Sequence, residues 1–236
     1  NSNKRFTYES AQEVLDQKQG EFFEELNIFN QIAKKLTKER FDNGALTLET
    51  EEVKFLLDDK GVPIDVYVKH RGDTHKLIEE FMLLANKNVS KFITEKQEEK
   101  NGKGHSICVY RVHDKPDSDR MHELDLYIRG LGRHVRFIDG LIPSSDLNKL
   151  LIQMDGLPEK DLLQIHIVRS MAKAIYSTKN IGHYGMAFDY YSHFTSPIRR
   201  YPDVLTHRLL MRVLTEDYPK ESERGIYDKL CAQASR

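Results

Sequence analysis

Between Tyr190 and Asp203 the chain reads Tyr-Tyr-Ser-His-Phe-Thr-Ser-Pro-Ile-Arg-Arg-Tyr-Pro-Asp. Hydroxyl groups, the imidazole of His193 and the guanidinium groups of Arg199 and Arg200 crowd into this one short run. Pro197 and Pro202 lack a backbone donor and push the residue before each towards extended geometry, so the run is not one uninterrupted helix. Beyond Pro202 the pattern turns helical, with Val204, Leu205, Leu209, Met211, Val213 and Leu214 apolar among Thr206, His207, Arg208 and Arg212. Pro202 suits a first helical position, and Asp203 complements the positive end of the helix dipole. Arg199 and Arg200 therefore sit on a stiff turn just ahead of a helix N-terminus. Free backbone N–H groups and two guanidinium forks form an anion site, and phosphate matches such a fork. The same residue types also suit a solvated or salt-bridged corner, and the run alone does not separate the two.

The whole string closely resembles the signature of the RNB-domain exoribonucleases, the ribonuclease II and ribonuclease R group, and of their bacterial ribonuclease R-like members in particular. Further blocks agree in order: Asp73-Thr74-His75-Lys76-Leu77-Ile78-Glu79-Glu80-Phe81-Met82, then Tyr110-Arg111-Val112-His113-Asp114-Lys115-Pro116, then Gly182-His183-Tyr184-Gly185. The resemblance runs over most of the chain.

It implies degradation of single-stranded RNA from the 3′ end, processively, to nucleoside 5′-monophosphates, with Mg²⁺ in the intact enzyme. Arg199 matches the family arginine that contacts the scissile phosphate and is the expected catalytic residue. Arg200 and Tyr201 are expected at neighbouring phosphates or in packing, Glu79 near the 3′-terminal ribose, and His113 on the RNA side of its block. A base-stacking aromatic is expected near residues 41–55, where Leu48 stands, with Phe41 and Phe55 as alternatives. The family's metal is held by a D-x-D-D type cluster, which Asp58, Asp59 and Asp114 do not reproduce, so no metal ligand is assigned within this chain. Residues 1–236 are accordingly expected to be the C-terminal portion of an RNB catalytic domain, without its Asp-cluster, cold-shock and S1 regions, and inactive alone. Two other readings stand beside this one: a non-catalytic RNA-binding module, and a metal-free nuclease using His183 and His193 as acid and base.

At 236 residues, 39% hydrophobic and 31% charged, the chain can bury a real core and would fit one large domain or two small ones. Lys+Arg number 36 against 37 Asp+Glu, so net charge gives no sign of a polyanion partner. No apolar run approaches a membrane span, and Asn1-Ser2-Asn3-Lys4-Arg5 has no signal-peptide core. Cys108 and Cys231 lack metal or disulfide spacing, which points to a reducing cytoplasm.

The elements that must position the motif read as a helix-rich, mixed α/β (α+β) domain. Residues 8–40 form two helices, the first with capping-box spacing at Ser10-Ala11-Gln12-Glu13 and a break near Gly20. Phe22, Phe23, Leu26, Phe29, Ile32, Ala33 and Leu36 make a core stripe. An extended segment starts at Ala45, Leu46 and Leu48. A hairpin follows, with strands from Val53 and Val62 and turn residues Asp58-Asp59-Lys60-Gly61. Asp73 caps a helix to about Gln97, whose buried face is apolar. Strands are expected at 105–113, 134–137 and 184–188, and helices from Asp117 or Ser118, over 146–154, and from Pro158 through Ile175.

Overall fold

A computed structural model describes residues 2–48, 52–69 and 71–236. Among the described residues helix dominates, with two small antiparallel pairs of strands, so the fold is α+β and helix-rich. The chain divides into two compact units, Asn1–Glu39 with Leu48–Phe81, and Arg40–Thr47 with Met82–Arg236.

In the first unit, α1 (Tyr8–Gln17) starts a turn earlier than Ser10 as a cap would allow. Thr7 Oγ1 accepts the Ser10 N–H at 3.1 Å while Ser10 Oγ accepts the Thr7 N–H at 3.0 Å. That reciprocal pair satisfies two orphan donors, so Ser10 is the third helical residue and not the cap. α2 (Phe23–Asp42) does not bury its apolar stripe as expected: Phe29 is 47% and Ile32 38% exposed, while Asn30 and Ala33 are buried. The inward position belongs to Asn30 because its amide donates to Asp73 Oδ2 at 3.2 Å, and Lys34 Nζ reaches the same oxygen at 2.6 Å. The Lys34 bond holds the Asp73 carboxyl below its ordinary pKa. Asp73 opens α3 (Asp73–Asn101), which runs one turn past the expected end.

Strands β1 (Glu52–Leu57) and β2 (Pro63–Lys69) form the expected hairpin, Val53 opposite Val68 and Phe55 opposite Val66. Asp58 Oδ1 accepts the N–H groups of Lys60 and Val62 at 2.9 and 2.8 Å, so this carboxylate builds the turn. Apolar side chains stand open on both faces of the hairpin, Phe55 at 60% exposure on one and Leu56 at 49% on the other.

The second unit holds the rest of α3, β3 (Tyr110–Val112), α4 (Ser118–Gly130), α5 (Ser144–Gln153), α6 (Glu159–Ser170), β4 (Ile175–Ser177), α7 (Tyr201–Leu214) and α8 (Arg224–Ala234). Asp117 caps α4 by accepting from the N–H groups of Asp119 and Arg120. The core beneath the motif joins Ile93 of α3, Val109, Tyr110 and Val112 around β3, and Leu205 and Leu209 of α7.

Several expected strands are shortened or absent among the described residues, where side-chain bonds or a local turn take the place of a pairing strand. Gln97 accepts the Ile107 N–H and donates to the Ile107 carbonyl, both at 2.9 Å, so only 110–112 of the segment 105–113 pairs as strand. Asn148 accepts the Thr47 N–H at 2.9 Å and donates to the Ala45 carbonyl at 2.8 Å, leaving the start of that segment extended but unpaired. Near 134–137 the fastening is ionic, Arg136 gripping Asp146 through two bonds of 2.7 Å. α6 stops at Ser170, short of Ile175, because 175–177 is drawn away to pair with β3. Residues 184–188 are no strand either. His183 N–H donates to the Phe188 carbonyl at 2.8 Å, closing a small loop whose middle, Tyr184–Met186, is a 3₁₀ turn with Ala187 left-handed.

Gly182 opens that loop at φ +76°, and a Cβ there would meet the Phe188 carbonyl oxygen at 3.1 Å. Its own carbonyl accepts the His113 N–H at 3.1 Å, so the residue cannot swing aside freely. Gly182→Ala should lower unfolding free energy by about 1–3 kcal/mol in urea titration. An unchanged midpoint would show that the loop relaxes without cost.

Candidate functional site: an arginine turn ahead of helix α7

The turn is built on Asp203, which is fully buried in the first turn of α7. Its Oδ1 accepts the Ser196 N–H at 2.7 Å and an Arg200 Nη2–H at 2.9 Å. Arg200 Nε also lies 2.9 Å from Oδ2, close enough for an ion pair though not aligned as a hydrogen bond. The Ser196 carbonyl accepts the N–H groups of Arg199 and Arg200 at 3.3 and 3.1 Å. A buried carboxylate needs a partner charge and donors, and the turn wraps round to supply them.

The preceding segment of the motif is fixed from the other side by α3. Asn86 Oδ1 accepts the N–H groups of Phe194 and Thr195 at 3.0 and 3.2 Å, and its Nδ2 donates to Tyr191 Oη at 3.2 Å. One helical turn on, Ser90 Oγ accepts from Ser192 Oγ at 3.1 Å, and Thr94 shares a 2.6 Å bond with Tyr110 Oη. His207 of α7 stacks on Phe194 at 4.1 Å between ring centroids, and its Nε2 lies 2.9 Å from the Phe194 carbonyl.

Arg199 is exposed, and among the described residues its side chain has no hydrogen bond or ion pair. It borders an open cleft of about 630 Å³ together with Tyr176, Arg200, Tyr201, Gln233 and Ala234. Tyr176 Oη lies 2.7 Å from His193 Nδ1, and the Arg111 guanidinium rests over the Tyr176 ring at 4.7 Å. A free guanidinium on a rigid turn, beside aromatic rings, suits a phosphate attached to something flat.

Of the residues singled out in the sequence, Arg199, Arg200 and Tyr201 come together at this cleft. Arg200 is committed to Asp203, which makes it a brace for the turn. His113 instead turns to the protein, its Nδ1 accepting the Gly185 N–H at 3.2 Å and its ring 4.9 Å from that of His183. Glu79 belongs to the first unit, where it faces Arg71 at 3.5 Å, while Glu80 beside it is the buried acid. Neither Leu48, half-buried, nor Phe41, under the Arg40 guanidinium, nor Phe55 on the hairpin is marked out as a stacking platform.

Magnesium would need several hard oxygens converging. Among the described residues no group of three or more His, Cys, Asp or Glu could hold a metal. Two acids within the motifs are engaged, Asp203 with Arg200 and Asp114 with the Lys115 N–H at 2.7 Å. His183 and His193 pack on the same ring, Tyr191, at 5.4 and 5.7 Å, and are no acid–base pair for neutral pH. Burial, then the charge of His113, pushes His183 down to about 3; burial, then Arg200, pushes His193 down to about 4.

Sequence reasoning missed Asn86, Ser90, Tyr176 and His207. Periodicity highlights apolar positions, and these residues are polar or lie far from the motif. The spacing of Asn86, Ser90, Thr94 and Gln97 along one face of a helix was the trace they left.

The RNB domain family matches residues 1–216. Over 247 residues the chain is 38% identical to ribonuclease R of Thermotoga maritima, covering 100% of this chain and 33% of that protein. Against ribonuclease R of Escherichia coli it is 33% identical over 223 residues, covering 92% and 26%. The chain thus spans about a third or less of these relatives' length. The structure resembles Mycoplasma genitalium RNase R in complex with ribose-methylated single-stranded RNA, TM-score 0.83 at 25% identity, over 98% of this chain and 36% of that one. It also shares its fold with yeast Ssd1, a pseudonuclease, at TM-score 0.67 and 22% identity over 98% of this chain and 28% of that one.

Two imidazoles kept neutral by the fold set a pH dependence. Above about pH 6.5, the ordinary histidine value, folded and unfolded chains are both uncharged at these sites, and the stability is intact. Below it the unfolded chain takes up protons that the fold refuses until about 4 at His193 and about 3 at His183, so stability falls with pH across that window. Asp146 and Glu223, held at about 2 by their arginines, titrate lower. Urea midpoints should be lower at about pH 5 than at about pH 7.5; equal or rising midpoints would mean that these histidines are solvated.

Proposed function

The chain belongs to the RNB-domain family, and from that membership we propose that it is part of a 3′→5′ exoribonuclease that hydrolyses single-stranded RNA to nucleoside 5′-monophosphates. One observation carries the assignment of the site. On a turn where Asp203 and Asn86 fix the surrounding groups, Arg199 is, among the described residues that line it, the one that presents an unpaired guanidinium to an open cleft of about 630 Å³. The fold by itself would not suffice, since a pseudonuclease shares it.

In hydrolysis of the terminal phosphodiester, water bonds to phosphorus, the P–O3′ bond breaks, and the leaving oxygen takes a proton. Arg199 donates to non-bridging oxygens as charge grows on them, and its planar fork suits that task better than an ammonium. Arg200 keeps the turn in place through Asp203, and Tyr201, half-exposed at the rim, borders the leaving nucleotide. Glu79 is assigned as a contact of the terminal ribose and His113 as a support of the 182–188 loop. The divalent metal implied by the family finds no fitting ligands among the described residues, and no step is assigned to it. Residues 1–236 would act as the C-terminal portion of the catalytic domain and be inactive alone. Free, buried Cys108 and Cys231 fit a cytoplasmic setting, and among the described residues no helix is long and apolar enough to cross a membrane.

Single-turnover cleavage by the enzyme containing this chain tests the site. Arg199→Ala should slow it about 10²–10³-fold with RNA affinity little changed, and Arg199→Lys should recover little. Normal cleavage with much weaker binding would reduce Arg199 to a strand-positioning contact. Absence of nucleoside monophosphates among the wild-type products would overturn the exonuclease reading itself.

The hairpin adds an expectation for the chain alone. Val53, Phe55, Leu57, Ile64 and Val66 lie open on a two-stranded sheet to which no further strand pairs among the described residues, so the chain should self-associate. Sedimentation should show oligomers that Phe55→Lys with Ile64→Lys disperses; a concentrated monomer would count against it.

A further inference from the structure

We propose that Asn86 of α3 is the positioning residue of the reaction: it sets where Arg199 stands although it touches no substrate. The proposal rests on the reading of Arg199 as the phosphate ligand. Three bonds converge on this one amide, which is 3% exposed. Its Oδ1 accepts two successive backbone N–H groups, Phe194 at 3.0 Å and Thr195 at 3.2 Å, and its Nδ2 donates to Tyr191 Oη at 3.2 Å. The two N–H donors demand the oxygen, which fixes the orientation of the amide.

Those donors lie directly before Ser196, the residue whose N–H ends on Asp203 and whose carbonyl takes the N–H groups of Arg199 and Arg200. The turn is therefore fastened at two points, Asn86 upstream and Asp203 downstream, and Arg199 projects from the span between them. Asp203 fixes the turn to the helix that follows it in the chain. Asn86 belongs to a helix far away in sequence and fixes the turn to the rest of its unit. Without it two part-buried N–H groups lose their acceptor, and the segment from Phe194 can shift outward while Asp203 still closes the turn. A displacement of an ångström at a group aimed at a reacting phosphate costs rate more than affinity.

The test separates positioning from mere support of the fold. Asn86→Ala in the enzyme should slow single-turnover cleavage about 10- to 100-fold with RNA affinity nearly unchanged. Asn86→Asp keeps acceptors for both N–H groups and can take a bond from Tyr191 Oη, so it should restore most of the rate. In an Arg199→Ala background Asn86→Ala should slow cleavage by no more than about twofold, because the two act through one group. Equal losses in both backgrounds, or no rescue by aspartate, would overturn the proposal. Amide hydrogen exchange at Phe194 and Thr195 in the 236-residue chain gives a readout that needs no activity. It should quicken in Asn86→Ala and recover in Asn86→Asp, and unchanged exchange overturns the clamp. A normal rate in Arg199→Ala alone would instead defeat the assignment of Arg199, while the exchange data still judge the clamp.

Discussion

A carboxylate with no exposure to water governs the local architecture. Asp203 sits where the helix dipole favours it, yet dipole and burial together would leave a charge poorly compensated. The chain answers by folding the residues before α7 back over it, so that the Ser196 N–H and the Arg200 guanidinium both reach its oxygens. Two adjacent arginines thereby acquire different fates. The second is drawn inward as counter-ion, and the first is pushed out by the geometry of consecutive residues. An exposed cation next to a satisfied one is the outcome of a single desolvation problem.

The buried face of α3 meets the same requirement by other means. Asn86, Ser90, Thr94 and Gln97 are each nearly inaccessible, and each bonds to a segment outside the helix. A helix face of this kind gains less from transfer out of water than leucines would. What it gains is register, because a hydrogen bond fixes a neighbour along the axis where apolar contact lets it slide. The loop carrying Arg199 and the segment before β3 are consequently held by directional bonds where other domains use sheet pairing.

Much of this was legible beforehand. The helices announced themselves by caps and period, Asp117 and the Pro202-Asp203 start among them, and the hairpin by its turn residues. The turn at Arg199 was legible from its prolines and its family string. The failures have separate local causes. Residues 105–109 and 45–47 have strand composition but are served by Gln97 and Asn148, and a pattern of side chains cannot reveal that a remote amide will substitute for a strand. Residues 184–188 look like strand until the left-handed Ala187 closes them on themselves. The stripe on α2 misled because Asn30 has a carboxylate to meet and the phenylalanine beside it does not.

The partners of Asn86 and Gln97 are mostly main-chain atoms, and this bears on how such a site changes over generations. A peptide N–H is the same in every residue but proline, so no substitution at Phe194, Thr195 or Ile107 can compensate for a lost amide opposite. Contacts between two side chains can drift together and leave paired changes among descendants. These contacts cannot, and they would be invisible to any method that infers proximity from correlated substitution. The positions most tightly tied to the arginine turn are, in that sense, bound to partners that have no identity to vary.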